Sequence, residues 1–140
     1  MARGLQAITR FRRYQVDQAR RELGKLLGEI AVLEKGATDL EAQILREQVA
    51  AAENPAEAGF IYGQYAQRAI TQRARFAYAI EVMEEKIADA QEVLRGNYRE
   101  LKVVEIAQEN READEALQAG RAEQAVLDEI GIELHRRRES

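Results

Sequence analysis

The sequence contains no cysteine and no tryptophan, and it has a single proline among its 140 residues. The lack of cysteine excludes disulfides, thiolate metal sites and a cysteine nucleophile. Three phenylalanines and five tyrosines are too few to fill a thick globular core. No apolar run approaches the roughly 18 residues of a membrane span. Because alanine, leucine, glutamate, arginine and glutamine dominate instead, the composition favours long helices with a thin apolar seam between them.

Residues that carry chemistry are also scarce. The chain has one histidine, His135, and one serine, Ser140. It has no glycine-rich loop followed by Lys and Ser or Thr, which excludes a P-loop ATPase. Carboxylates recur at helical spacings, but a two-helix surface offers no cleft to raise their pKa values, and metal-ligand clusters are absent. We therefore predict a protein that is not an enzyme and that uses no cofactor, metal or small-molecule substrate.

Charge is distributed unevenly along the chain, whose formal net charge is −4. Residues 1–21 carry six Arg against one Asp, whereas residues 22–60 carry three basic and eight acidic side chains. The arginine-rich N-terminus has no apolar segment of the secretory type, so a cytoplasmic protein is expected. A second basic tract, "HRRR", lies near the C-terminus.

Apolar residues of the first half recur at alternating steps of three and four. This pattern predicts a coiled-coil seam about four heptads long. Upstream, Leu5, Ile8 and Phe11 keep an apolar face but slip in phase, which predicts a stutter near the start of the first helix. The predicted seam residues are Val16, Ala19, Leu23, Leu26, Ile30, Leu33, Ala37, Leu40 and Ile44.

The segment "AENPAEAGF" interrupts the periodic pattern. A residue before proline avoids the helical region, and Gly59 can adopt a positive φ. We therefore predict helix one at about residues 4–53, a turn at residues 54–59 and helix two at about residues 60–137. So short a turn favours an antiparallel hairpin.

The second helix has a seam of its own, which lasts six heptads and has two polar interruptions. Its predicted residues are Tyr62, Ala66, Ala69, Arg73, Phe76, Ile80, Met83, Ile87, Ala90, Leu94, Asn97, Leu101 and Val104. After Val104 the phase shifts, and a weaker stripe continues through Ala113, Leu117, Gly120, Gln124, Leu127 and Leu134.

The two helices differ in predicted length, roughly 75 Å against roughly 115 Å at 1.5 Å per residue. Folding back near residue 57 pairs residue 5 with about residue 109, so the residues after Arg111 have no partner within the chain. The apolar side chains of this overhang indicate a partner, a self-association seam or an end that frays. The residues predict an all-α fold, a single antiparallel two-helix coiled-coil hairpin over residues 1–140 with a longer second helix.

The whole chain resembles the FliJ family of flagellar type III export proteins. The likeness rests on size, the basic N-terminal helix, the polar turn and the longer second helix, together with three short motifs in order. These are "LGEI" at Leu27–Ile30, "AITQ" at Ala69–Gln72 after a tyrosine-rich restart, and "LDEI" at Leu127–Ile130 just before "HRRR".

The resemblance implies a cytoplasmic coiled-coil stalk associated peripherally with the inner membrane. Such a stalk binds and stimulates the hexameric export ATPase, links it to the membrane export gate protein and escorts export chaperones. The candidate ATPase contacts that it implies are Arg10, Arg12, Arg13, Leu127, Arg136, Arg137 and Arg138. The candidate gate contacts are Leu40, Ile44, Tyr62, Ala66, Ala69 and Arg73.

Other readings of the sequence stay open at this point. One is a generic coiled-coil adaptor or spacer, and another is a stalk protein of the related injectisomes. A nucleic-acid-binding helical module is a third, because the arginines beside Phe11 and Tyr14 supply a basic footprint for phosphates. The acidic body of the chain argues against a long duplex lying along it.

Overall fold

The structure is a computed structural model that describes residues 2–139 and contains two α-helices there. Helix α1 runs over Ala2–Glu53 and helix α2 over Pro55–Glu139. No strand occurs between residues 2 and 139. The predicted all-α hairpin with a longer second helix is confirmed, while Ser140 lies outside the described residues.

The break between the helices is a single residue, Asn54. Proline suits the first position of a helix, where no N–H is needed and φ is already fixed near the helical value. Asn54 stands where asparagine is a favoured cap, and the following proline keeps it out of the helical region. The predicted turn of residues 54–59 is therefore too long, since Pro55 starts α2. Gly59 does not adopt the positive φ that glycine allows, and no other glycine of the described chain does so either.

The contacts divide the chain into two compact units. The first, called here the turn unit, comprises Asp17–Arg95. The second, the open-end unit, joins the start of α1 up to Val16 with α2 from Gly96 onward. A single domain over the whole chain stays a prediction.

In the turn unit, α1 and α2 pack antiparallel through the predicted seam. Two clusters of buried residues form along it, one around Leu26, Ile30 and Ile87 and one around Leu40, Ile44 and Ala69. Every predicted seam residue in this unit is buried or half-buried except Arg73. No large side chain of the described chain is fully buried, as expected of a core only one seam thick.

Gly36 is the only glycine in residues 2–139 whose Cβ position lies within 4 Å of a side chain of the other helix. A Cβ atom placed on Gly36 would lie 2.7 Å from Cε1 and 2.8 Å from Cζ of Phe76. Carbon atoms at optimal separation stand about 3.5–4.0 Å apart, so a side chain here would displace the ring. The glycine thus leaves room for the Phe76 ring beside the backbone of α1.

In the open-end unit, the α1 seam keeps the phase of the turn unit instead of slipping. Thr9 and Val16 are buried, and Leu5 and Arg12 are half-buried, at steps of three and four. The predicted stutter through Ile8 and Phe11 is wrong. Both side chains are exposed, at 46% and 53%. Thr9 and Arg12 face α2 in place of the predicted Ile8 and Phe11.

The last third of α2 has no packing partner in the described chain. Arg111 is half-buried, and every residue from Glu112 to Glu139 is exposed. We call residues 112–139 the overhang, which is about 42 Å long at 1.5 Å per residue. The exposure of residues 112–139 agrees with the predicted lack of an internal partner there.

Substituting Gly36 tests the close approach of the helices. We expect Gly36→Ala to lower the free energy of unfolding by about 1 kcal/mol, because overpacking against Phe76 outweighs the gain in helix propensity. Gly28→Ala is the matched control, since nothing lies within 4 Å of its Cβ position. It should raise stability by about 0.5–1 kcal/mol. Urea unfolding followed by circular dichroism measures both, and equal stabilisation by the two changes would contradict the proposed fit.

Candidate interaction surfaces

Arg12 is one of the three N-terminal arginines predicted as ATPase contacts. Its Nη1 donates to Oε2 of Glu100 on α2, and its guanidinium lies 5.7 Å from the centre of the Phe11 ring. The Arg12 Nε is buried and has no hydrogen-bond partner in the described chain. Arg12 therefore helps to join the two helices, and only part of its guanidinium is open to a partner.

Arg13 is also engaged within the chain. Its Nε lies 3.7 Å from Oε1 of Glu105, whose other carboxylate oxygen lies 3.6 Å from Nζ of Lys102. Glu105 is shielded, with 25% of its side chain exposed. Of the predicted N-terminal contacts, only Arg10 is an exposed arginine without an ion pair among the described residues.

Thr9 fixes the register of this end of the hairpin. Its side chain is 3% exposed. The hydroxyl oxygen lies 2.8 Å from the Leu5 carbonyl oxygen and 2.7 Å from Oε1 of Gln108. A hydroxyl has one proton to donate, so the two acceptors share it. Only the contact with Gln108 crosses to α2, and because a shift of the helices would break it, this contact favours one alignment.

The C-terminal candidates lie far from the N-terminal ones. Arg136, Arg137 and Arg138 are exposed in the last turn of α2, where positive charge interacts favourably with the helix dipole. Gln108, which contacts Thr9, precedes Arg137 by 29 residues, or about 44 Å along α2. The two arginine groups are thus separate surfaces rather than one basic pole. Leu127, which is 62% exposed, lies between them.

Half of the predicted gate contacts are core residues. Leu40, Ile44 and Ala69 form the second buried cluster, at 6%, 9% and 5% exposure. Tyr62 and Ala66 are half-buried. A partner cannot reach the first three without opening the hairpin, because they face the other helix.

Arg73, the sixth gate candidate, forms a two-pronged ion pair across the hairpin. Its Nε lies 2.5 Å from Oε1 of Glu41, and its Nη2 lies 2.7 Å from Oε2. The fork geometry of arginine matches a carboxylate in this way. The polar interruption of the seam is therefore satisfied by a glutamate on the neighbouring helix.

Sequence reasoning missed the exposed apolar side chains near the turn. Phe60 is 78% and Ile61 67% exposed on α2, and Leu45 and Val49 are 62% and 54% exposed on α1. Phe60 lines a groove together with Gly59 and Gly63, which have no side chains to fill it. The signal was present in the sequence as large apolar residues that fall outside the three-four register.

The described residues contain neither a metal site nor a membrane-spanning segment. No group of His, Asp and Glu side chains in residues 2–139 has the arrangement of a metal site. Neither helix, over the same residues, includes a segment apolar enough to cross a membrane.

Comparison with known families identifies the chain. The family model described as flagellar FliJ protein matches residues 1–140. The chain belongs to the FliJ family. Searches of curated proteins and of solved structures gave no match. Membership of the FliJ family supports a role in flagellar protein export for this helical hairpin.

The Arg73–Glu41 pair generates a prediction about hairpin stability. We expect a double-mutant cycle with Arg73→Gln and Glu41→Gln to give a coupling energy of about 0.5–1 kcal/mol, since half-exposed pairs are screened by water. Urea unfolding at low and at 1 M salt measures it, and high salt should reduce it. The Lys35–Asp39 pair, 3.7 Å apart within α1, is the control and should couple more weakly. Equal coupling in the two cycles would contradict the cross-helix role.

Proposed function

We propose that this FliJ-family protein is a non-enzymatic stalk of the flagellar type III export apparatus. In this role it binds the hexameric export ATPase, stimulates ATP hydrolysis and links the ATPase to the membrane export gate. It also escorts export chaperones. It acts in the cytoplasm, in peripheral association with the inner membrane.

The observation that carries this proposal is the overhang. The overhang is a single helix of 28 residues that extends beyond the paired part of the open-end unit. All residues of the overhang are exposed. It displays large apolar residues, among them Leu127 and Leu134 at 62% and 52% exposure. A bare amphipathic helix can enter the opening of a ring-shaped partner, where subunits surround it and cover the apolar surface. Family membership supplies the export context.

The basic residues support the same assignment. Arg136, Arg137 and Arg138 end the overhang, and Arg10 is exposed at the start of α1. Exposed arginines speed encounter with an acidic surface and fix orientation more than they add affinity. We therefore assign the ATPase contacts mainly to the overhang and Arg10, and give Arg12 and Arg13 a smaller share because both already pair with α2.

The gate contacts are reassigned within the turn unit. Leu40, Ile44 and Ala69 are buried inside the hairpin, whereas Phe60 and Ile61, which directly precede Tyr62 in the sequence, are exposed apolar residues. Buried aromatic anchors supply much of the energy of protein interfaces. We propose that the gate protein binds the surface around Phe60, beside Tyr62 and Ala66.

Stimulation of the ATPase tests the stalk role. The purified protein should raise the hydrolysis rate of its cognate export ATPase at one chain per six ATPase subunits. Reversing the terminal charges with Arg136→Glu, Arg137→Glu and Arg138→Glu should lower this stimulation at least about tenfold, because complementary charge becomes repulsive. Steady-state phosphate release measures the effect.

The control for that assay reverses two exposed arginines of the turn unit, Arg68→Glu and Arg75→Glu, which should leave stimulation intact. No stimulation by the unaltered protein would reject the stalk role. Equal loss in both variants would show that net charge, and not the overhang, governs the effect.

A separate measurement tests the gate surface. Phe60→Ser should weaken binding to the cytoplasmic part of the export gate protein about tenfold or more, through loss of an exposed aromatic anchor. Tyr78→Ser is the matched control, since Tyr78 is 70% exposed on the same helix but contacts neither Phe60 nor its groove. Titration calorimetry with both variants gives the comparison. Unchanged affinity for the Phe60 variant would refute this placement.

A further inference from the structure

The open-end unit has a second apolar stripe that does not face α1. It follows steps of three and four along α2, and every member is exposed. Its large apolar members are Val103, Ile106, Leu117, Leu127 and Leu134, each more than half exposed. We call the full set the outer stripe: residues 103, 106, 110, 113, 117, 120, 124, 127, 131, 134 and 138.

The outer stripe lies on the side of α2 away from α1. The residues that face α1 are Leu101, Val104, Gln108 and Arg111, all buried or half-buried. Ala113 follows Arg111 by two residues, which turns the helix by about 200°. A longer α1 would therefore not cover the outer stripe. A partner that covers it must approach α2 from the side away from α1.

We propose that the outer stripe between Ala113 and Arg138 is a self-association seam that pairs with the same segment of a second copy of this chain, in antiparallel orientation. This inference goes beyond the stalk role and does not depend on it. It concerns the isolated protein, in which the overhang is uncovered.

The spacing of the stripe is the same in both directions over this segment, and two of its four mirrored pairs join identical residues. In an antiparallel coiled coil, each seam residue packs against the seam residue at the mirrored position of the other chain. Mirroring about the midpoint between Ala125 and Val126 brings every seam position onto another seam position. Leucine then meets leucine at 117 and 134, and glycine meets glycine at 120 and 131. Gln124 meets Leu127 at the centre.

The charges that flank the seam are complementary in the same alignment. On one edge, Arg121 of each chain comes opposite Asp128 of the other. Arg121 forms no ion pair among the described residues. Asp128 accepts a hydrogen bond from Gln124 Nε2 at 3.0 Å, which holds its carboxylate beside the stripe. Flanking pairs of opposite charge set partner choice and orientation in coiled coils.

A parallel, in-register pairing has the opposite electrostatics. It would place Glu123 beside Asp128 of the second copy, and it would bring the two tracts of Arg136–Arg138 together. Like charges at such positions are destabilising. The antiparallel arrangement instead sets each arginine tract alongside residues 112–115 of the other chain, which carry three acids. Charge therefore selects the antiparallel copy.

The seam is built for weak, reversible association. It covers nearly four heptads, enough for a coiled coil, but glycine and glutamine occupy three of its central positions. Glycine buries little apolar area and lowers helix stability. A reversible dimer leaves the overhang available to other partners once they compete for it.

Sedimentation velocity on the full chain at low salt, over a wide range of protein concentration, tests the proposal. The unaltered protein should shift from monomer to dimer as concentration rises. Arg121→Asp alone should weaken the dimer about tenfold, because two attractive pairs become repulsive. Asp128→Arg alone should do the same. The two changes together should restore dimerisation, since the reversed pair is again complementary.

Cross-linking tests the orientation independently, because the natural chain has no cysteine. In a variant with Gly120→Cys and Gly131→Cys, the two thiols of one chain are eleven residues apart on one helix and cannot bond to each other. The antiparallel dimer should give a disulfide between position 120 of one chain and position 131 of the other, identified by mass spectrometry of linked peptides. Arg68→Asp in the turn unit is the control and should leave dimerisation unchanged.

A monomer at every concentration would overturn the proposal. So would a dimer that the double charge reversal fails to restore, since the register would then be wrong. Predominant links between like positions, 120 to 120 or 131 to 131, would show a parallel pairing and also overturn it.

Discussion

The packing of α1 against α2 through one line of mostly apolar side chains is the interaction on which the rest of this molecule depends. In the turn unit it forms two buried clusters, centred on Ile30 with Ile87 and on Leu40 with Ala69. Each cluster is small, and no large side chain of the described residues is fully buried. A seam this thin leaves most side chains on the surface. Individual contacts between the helices therefore determine how the helices align and which side chains are exposed.

Polar contacts complete the seam where apolar ones run out. Thr9 contacts Gln108 at 2.7 Å, and Arg12 donates to Glu100 in the same unit. In the turn unit, Arg73 donates two hydrogen bonds to the Glu41 carboxylate, of 2.5 Å from Nε and 2.7 Å from Nη2. These groups need particular partners at particular positions, so they specify alignment more sharply than interchangeable leucines do. At the open end, the contact with Glu100 engages Arg12, which would otherwise be available to a partner as part of a basic surface.

Because α2 is longer than α1, part of α2 is packed in the hairpin and part forms an exposed surface of its own. Where α1 begins, α2 loses its partner, and every residue from Glu112 to Glu139 is exposed. FliJ-family membership gives such an exposed helix a setting in flagellar export, where a ring-shaped ATPase is the proposed partner. The outer stripe of the same helix is the proposed seam for a second copy of the chain. Both proposed interactions, with the ATPase and with a second copy, depend on an amphipathic helix that has no partner in its own chain.

The sequence by itself determined the two helices, the seam from Val16 to Val104 and the bare overhang, because three-four periodicity is a local property that survives without knowledge of neighbours. Family membership was also readable there. Only the tertiary structure decided which side chains a partner can reach. Leu40, Ile44 and Ala69 are core residues, and Arg12 and Arg73 are tied to glutamates, because pairing depends on what the other helix places opposite. The turn shrank to Asn54 for a related reason: the proline that breaks one helix is well suited to begin the next.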